Sequence, residues 1–289
     1  MGLGLGLTFI PTIGLTSHHW KRRRGFASGV ALTGCSCGGI AIPIMLNRLL
    51  QRHTFGVAVR ASGYVVLGCL VIGVSLMRTR FPPRRSSEAP PDIKAWFKEG
   101  PYLSTVAAGL FTSFGFYFPV IYLQLYAIQH KIDLSLAFYS LAIVNGTGTI
   151  GRILANYLSD IYGPFNLMIA ACLVSGATIW SILGVNDRAS LIVVSVLYGV
   201  SSGAYLSLVV ASLAFLSKTP KEVGARTGIG IAISSINTLG AAPAQGALLT
   251  GSFFWIRPIA FSAICMFCAA FMFFVARMML MRERGTQRV

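Results

Sequence analysis

Nine long apolar runs, separated by short polar and mostly basic segments, dominate this 289-residue sequence and constrain it more than any motif does. They cover Met1 to Ser17, Gly25 to Asn47, Phe55 to Met77, Pro101 to Ile128, Leu134 to Leu158, Phe165 to Val185, Ser190 to Ser217, Gly224 to Thr250 and Pro258 to Met281. About 20 apolar residues suffice for one bilayer crossing. Lipid supplies no hydrogen bonds to backbone groups, so a spanning chain must be helical or a closed barrel. A barrel needs segments of about ten residues with alternating polarity. The runs here are longer and do not alternate, so the expected class is an all-α integral membrane protein partnered by the lipid bilayer. Only 11% of the residues are charged and 55% are hydrophobic, which excludes an ordinary soluble domain.

The net charge of +16 raises the question of a nucleic-acid partner. Its distribution answers it. With Lys21 to Arg24 placed in the cytoplasm, alternate loops and helix ends on that side collect eighteen of the 24 Lys and Arg residues. The opposite side holds six. That excess is the pattern that orients membrane helices, and it predicts an outside N-terminus and a cytoplasmic C-terminus; the plasma membrane is the expected location.

The most polar stretch, Arg78 to Gly100, divides the chain into residues 1–77 with three spans, a basic cytoplasmic linker at 78–100, a six-helix bundle at 101–281 and a tail at 282–289. Within the linker, Asp92 to Glu99 is expected to form an interfacial helix, with Trp96 and Phe97 toward lipid and the lysines toward water. The first run is short and lacks a charged leader, so it reads as a span whose beginning is missing rather than as a signal peptide.

Three motifs carry a family resemblance. His19-Trp20-Lys21-Arg22-Arg23-Arg24-Gly25-Phe26-Ala27-Ser28-Gly29-Val30-Ala31 resembles the monocarboxylate transporter signature at the fifth helix, which usually opens with Tyr-Phe. Gly151-Arg152-Ile153-Leu154 with Asp160 and Gly163-Pro164-Phe165-Asn166 is similar to the stretch between helices eight and nine of fungal members. Gly224-Ala225-Arg226-Thr227-Gly228, with Pro243 and Gly246-Ala247-Leu248-Leu249, is similar to their eleventh helix. The chain therefore resembles the fungal monocarboxylate transporter-like branch of the major facilitator superfamily. The resemblance implies two helical bundles that rock about a central site, with the nine spans standing for helices four to twelve and the first three absent. It implies a transported small organic anion or secondary metabolite. A non-transporting remnant or assembly partner is the rival expectation.

The residues also read without the resemblance. Gly25, Gly29, Gly34 and Gly38 form a predicted small-residue face for close helix approach. Arg152 shares a helical face with Asn145, Gly148 and Asn156, and either faces a cavity that suits a carboxylate or snorkels toward Asp160. In animal monocarboxylate transporters an aspartate lies one turn before the matching arginine, whereas Gly148 stands here, and no acidic residue falls mid-span. Facilitated diffusion thus stands beside proton coupling. Tyr117, Asn145, Arg152, Tyr205 and Asn237 are the expected substrate residues. Ser113, Gln124, Tyr198, Ser202, Ser234 and Gln245 share their faces, and each serves equally well as an interhelical hydrogen bond. Arg24 and Asp160 are the expected conformational latch, with a solvated loop aspartate as the alternative for the latter.

Two enzyme-like patterns fail their context. Gly146-Thr147-Gly148-Thr149-Ile150-Gly151 fits GxGxxG but follows no strand. Gly199-Val200-Ser201-Ser202-Gly203 fits GxSxG, yet no histidine or acid shares its span. No enzyme activity is expected, and a membrane hydrolase using Ser201 is the remote alternative. Cys265 and Cys268 form a CxxC without further ligands at zinc spacing, so no metal and no cofactor are expected.

Overall fold

The computed structural model of the chain describes residues 2–20, 24–78, 93–217, 222–249 and 253–288. These residues contain no strand and form nine long helices, one short α-helical turn and, after α7, a 3-10 turn (Ile182–Gly184): α1 (Gly2–His19), α2 (Arg24–Leu50), α3 (Phe55–Leu76), α4 (Ile93–Trp96), α5 (Gly100–Gln129), α6 (Leu134–Tyr162), α7 (Pro164–Ser181), α8 (Arg188–Phe215), α9 (Val223–Leu249) and α10 (Ile256–Arg284). Each long helix falls on one predicted apolar run. Seven of them, α2, α3, α5, α6, α7, α8 and α10, are long and apolar enough to cross a membrane. The other two are α1 and α9. In α9 the cause is visible in the sequence, because glycine, serine, threonine, asparagine and glutamine replace much of the aliphatic content.

Helix ends follow local chemistry. Asp133 caps α6 by accepting from the Ser135 N–H at 2.8 Å, and Asp187 with Ser190 forms a reciprocal capping box on α8. Gly163 adopts φ 91° ahead of Pro164, which starts α7, and Gly285 closes α10 at φ 64°. Arg188 joins the two capped ends by reaching Asp133 at 2.7 Å. The backbone N–H groups of Ser135 and Leu136, and then the Arg188 guanidinium, hold the Asp133 carboxyl below its ordinary range. The Ser190 hydroxyl and N–H do the same at Asp187. A depressed folded-state pKa contributes stability above the unfolded value of about 3.9 and loses it as pH falls through the folded value. Thermal midpoints in detergent are therefore expected to hold between about pH 7 and 5 and to drop below about pH 4. Asp133→Asn with Asp187→Asn should flatten that acid limb.

Packing builds outward from α5, α8 and α10. α10 lies between α5 and α7, α8 between α6 and α7, and α9 lies along α5. Fully buried Phe118, Phe165, Met168, Ile179, Leu191 and Phe273 fill the centre. α2 packs on α6, α3 on α2, and α1 against both α2 and α9.

The two enzyme-like patterns are the two sides of one seam. A Cβ added at Gly203 would land on the Gly148 carbonyl, and one at Gly151 on the Val200 carbonyl. One at Gly199 would lie 2.6 Å from the Val144 carbonyl. Backbone meets backbone between α6 and α8, which requires glycine on both helices. Ser201 Oγ donates to the Tyr198 carbonyl of its own helix.

The expected orientation of Trp96 needs correction. It is 4% exposed and turned into the bundle, not toward lipid, because a cation waits there. The Arg226 guanidinium lies 5.0 Å from the Trp96 ring centroid and 5.8 Å from that of Tyr102. Phe97 remains at the surface, edge-on to Tyr102.

Candidate functional site

Two polar seams run through the apolar bundle. The first joins α2 to α6. Gly25, Gly29, Leu32 and Ser36 are buried on α2, and Gly39 follows them at the same spacing. Added Cβ atoms there would meet α6: at Gly25, the Asn156 carbonyl and Asp160 at 2.8 Å; at Gly29, Asn156 at 2.8 Å; at Gly39, Asn145 Cγ at 2.9 Å. Gly34 and Gly38, expected on this face, look into open space. Helical geometry explains the difference, since steps of four and three keep one stripe in register whereas the step from Gly29 to Gly34 leaves it.

Opposite that stripe, α6 presents Asn145, Gly148, Arg152 and Asn156 at steps of three and four. Arg152 is 6% exposed and donates from Nη1 to the Leu32 carbonyl at 2.7 Å. Its Nε, the Asn156 Oδ1 and the Ser36 Oγ are buried without a hydrogen-bond partner among the described residues. No described carboxylate forms an ion pair with Arg152. Asn145 is half-buried and donates to the Leu141 carbonyl.

Asp160 closes this seam. Its Oδ1 accepts the Gly25 N–H and its Oδ2 the Phe26 N–H, both at 3.1 Å, so the carboxylate caps the start of α2 from another helix. A carboxylate is favoured there by the unpaired N–H groups and the helix dipole. Arg24 opens α2, and its side chain lies outside the described residues. Asp160→Ala is expected to lower stability by about 1 kcal/mol, as loss of a helix cap does, measured as the thermal midpoint of the detergent-solubilised protein. An unchanged midpoint would mean that the cap contributes nothing.

The second seam binds α5 to α8 and α9. Tyr205 pairs its hydroxyl with Thr112, Tyr198 donates to the Phe116 carbonyl, and Phe116 lies 5.8 Å from the Tyr205 ring. Tyr117 is half-buried beside Phe116. From α9, Asn237 donates to the Leu110 carbonyl at 3.4 Å and Gln245 to the Phe114 carbonyl. Ser113 and Tyr122 of α5 return bonds to the Ser234 and Ala242 carbonyls. Two of these acceptors, Phe114 and Phe116, lie within five residues of Pro119, which stands inside α5 and has no N–H to give its helix. The structure thus gathers Tyr117 and Tyr205 around Phe116, sets Asn237 on α5, and places Asn145 and Arg152 in the other seam. The two groups share no hydrogen bond among the described residues.

Sequence reading missed a third cluster. Arg226 is 1% exposed at the start of α9. Glu99 grips it with Oε2 to Nη1 at 2.6 Å and Oε1 to Nη2 at 3.1 Å. Glu222 stands 3.2 Å from its Nε, and the Leu216 carbonyl accepts from Nη1 at 3.0 Å. Tyr102 in turn donates to the Arg226 carbonyl at 3.1 Å. The cluster fastens the segment before α5 to the ends of α8 and α9. Its sequence signal is the Glu222 and Arg226 pair at i,i+4.

The sequence that builds this all-helical architecture matches a known family. The model of the Major Facilitator Superfamily matches residues 1–187. The chain belongs to the major facilitator superfamily. Among curated facilitators it is 32% identical over 285 residues to the Aspyridones efflux protein apdF of Emericella nidulans, covering 98% of this chain and 58% of that protein. It is 31% identical to the Fujikurins efflux protein of Gibberella fujikuroi, covering 98% and 61%. An MFS transporter of Aspergillus flavus, asaE, is 32% identical over 250 residues, covering 86% of this chain and 56% of its own length. The chain spans rather more than half the length of these facilitators. It is accordingly a multi-pass integral membrane protein.

Proposed function

We propose that this chain forms part of a carrier for small organic molecules, secondary metabolites with an acidic group foremost, and that it works by alternating access. The observation that carries this reading is Arg152: a buried cation with no described counter-ion, one unpartnered N–H, and Asn145, Asn156 and Ser36 along the same seam. A lone buried charge is costly to keep. A transient anion would offset that cost, and the α2–α6 seam would admit one when it opens. Tyr117, Tyr205 and Asn237 would meet the less polar body of the substrate from the second seam. Asp160, with Arg24, would hold the seam shut between cycles.

The names of two relatives as efflux proteins support export as the direction. The monocarboxylate-like motifs support an anionic substrate. Residues 1–77 and 101–281 would form the two moving bodies, with 78–100 as the cytoplasmic linker and the C-terminus on the same side of the plasma membrane. Proton coupling would need a group other than a mid-span carboxylate. Arg152→Gln should reduce flux of an organic anion into proteoliposomes by about ten- to a hundredfold, the worth of one charge-assisted contact of roughly 1.5–3 kcal/mol, with Arg152→Lys intermediate. Unchanged flux in Arg152→Gln would end the substrate role.

A second reading, an assembly partner without transport of its own, is favoured by α3. Its most apolar window is 6% buried, and Leu67, Val71, Ile72 and Val74 are all exposed. Substrate flux by the purified chain alone would remove that reading.

A further inference from the structure

A groove of about 350 Å³ runs between α5 and α10 on the outer face, lined by Phe111, Ile264, Phe267, Cys268, Phe271 and Met272. Phe114 and Phe261 meet edge to face at 5.8 Å one turn beyond it and close that end. In the other direction the same helical stripes continue through Val275 and Met279 to Arg282 on α10, and through Ala107 and Ser104 to Gly100 on α5. The two stripes stay together, since a Cβ at Gly100 would lie 2.9 Å from the Met279 sulfur. From Phe111 to Gly100 the rise is about 16 Å at ~1.5 Å per residue. Half of a hydrocarbon core of ~30 Å is about 15 Å. The seam between α5 and α10 therefore leads from the groove over about half a hydrocarbon core to the helix ends at Gly100 and Met279.

Two cations stand at that end. Lys98 precedes Gly100 by two residues, and Arg282 follows Met279 by one turn; both are exposed. Neither forms an ion pair with a described carboxylate. We propose that the groove holds an acyl chain of an anionic glycerophospholipid whose phosphate rests on Lys98 and Arg282. A second transmembrane helix suits the face less well, because helix partners favour small residues at the contact and this lining is aromatic and bulky. The site is independent of transport.

Native mass spectrometry of the purified full chain, titrated with dioleoylphosphatidylglycerol and dioleoylphosphatidylcholine, tests the assignment. Phosphatidylglycerol should bind about 30-fold more tightly, roughly fivefold for each cation. Lys98→Gln with Arg282→Gln, both surface changes, should erase the preference and leave phosphatidylcholine retention intact. Cys268→Trp should fill the groove and weaken both lipids, and Phe271→Ala, which removes a wall without crowding the core, should do so too. Equal binding of the two lipids by the unaltered chain overturns the proposal, as does a preference that survives the double change. Retention of both lipids by Phe271→Ala at the original level, or a dimer that displaces them, overturns it as well.

Discussion

Gly203→Val is expected to leave little folded protein. The first atom of the new side chain would fall on the Gly148 carbonyl, with the Gly148 Cα at 2.6 Å. Overpacking a core usually costs about 1–3 kcal/mol because neighbouring side chains yield. Here the obstacle is backbone, and only separation of α6 from α8 relieves it. Gly199 and Gly151 face the same seam, so the loss would spread along both helices. The cost should therefore exceed that range. Gly38→Val is the matched control, since a Cβ there meets nothing within 4 Å. Size-exclusion chromatography of the two variants in detergent makes the comparison, and equal monodisperse yields would refute the seam.

The second large effect belongs to the Arg226 cluster. Removing one partner of a buried ion pair costs roughly 3–5 kcal/mol, because the survivor keeps its charge without compensation. Glu99→Gln leaves Arg226 with Glu222 alone, so a loss near 3 kcal/mol is expected. Arg226→Met leaves two glutamates that are 26% and 24% exposed and can turn toward water. With Arg226→Met alone costing about 2 kcal/mol and the double variant no less stable than Glu99→Gln, the coupling in a thermal-unfolding cycle is about 2 kcal/mol. Additive losses would show that Glu99 and Arg226 act separately.

How far the sequence foretold these features depended on whether one helix or two decide the outcome. The long helices were legible because an apolar run of that length satisfies its backbone within one helix whatever surrounds it. The polar face of α6 was legible too, since Asn145, Arg152 and Asn156 share a side by helical geometry alone. What covers that face was not, because it depends on which stripe of α2 turns toward it. Gly34 and Gly38 fit a spacing rule, yet Leu32 and Ser36 take the contact. Trp96 misled for the same reason: an amphipathic segment read in isolation points its indole at lipid, whereas Arg226, 130 positions later in the chain, offers it a cation. Charges counted as loop residues hid their pairing, and Arg226 entered as one letter of a motif and one positive group on the basic side, with no partner assigned.

The composition of α9 also bears on how the protein is made. A segment with this much glycine, serine, asparagine and glutamine gains little by leaving an aqueous channel for lipid one helix at a time. Its polar atoms find acceptors on α5, at Leu110 and Phe114. During synthesis α9 should therefore stay beside the translocon until α5 is available to receive it, and α10, the most apolar of the seven spans, supplies the pull that completes insertion.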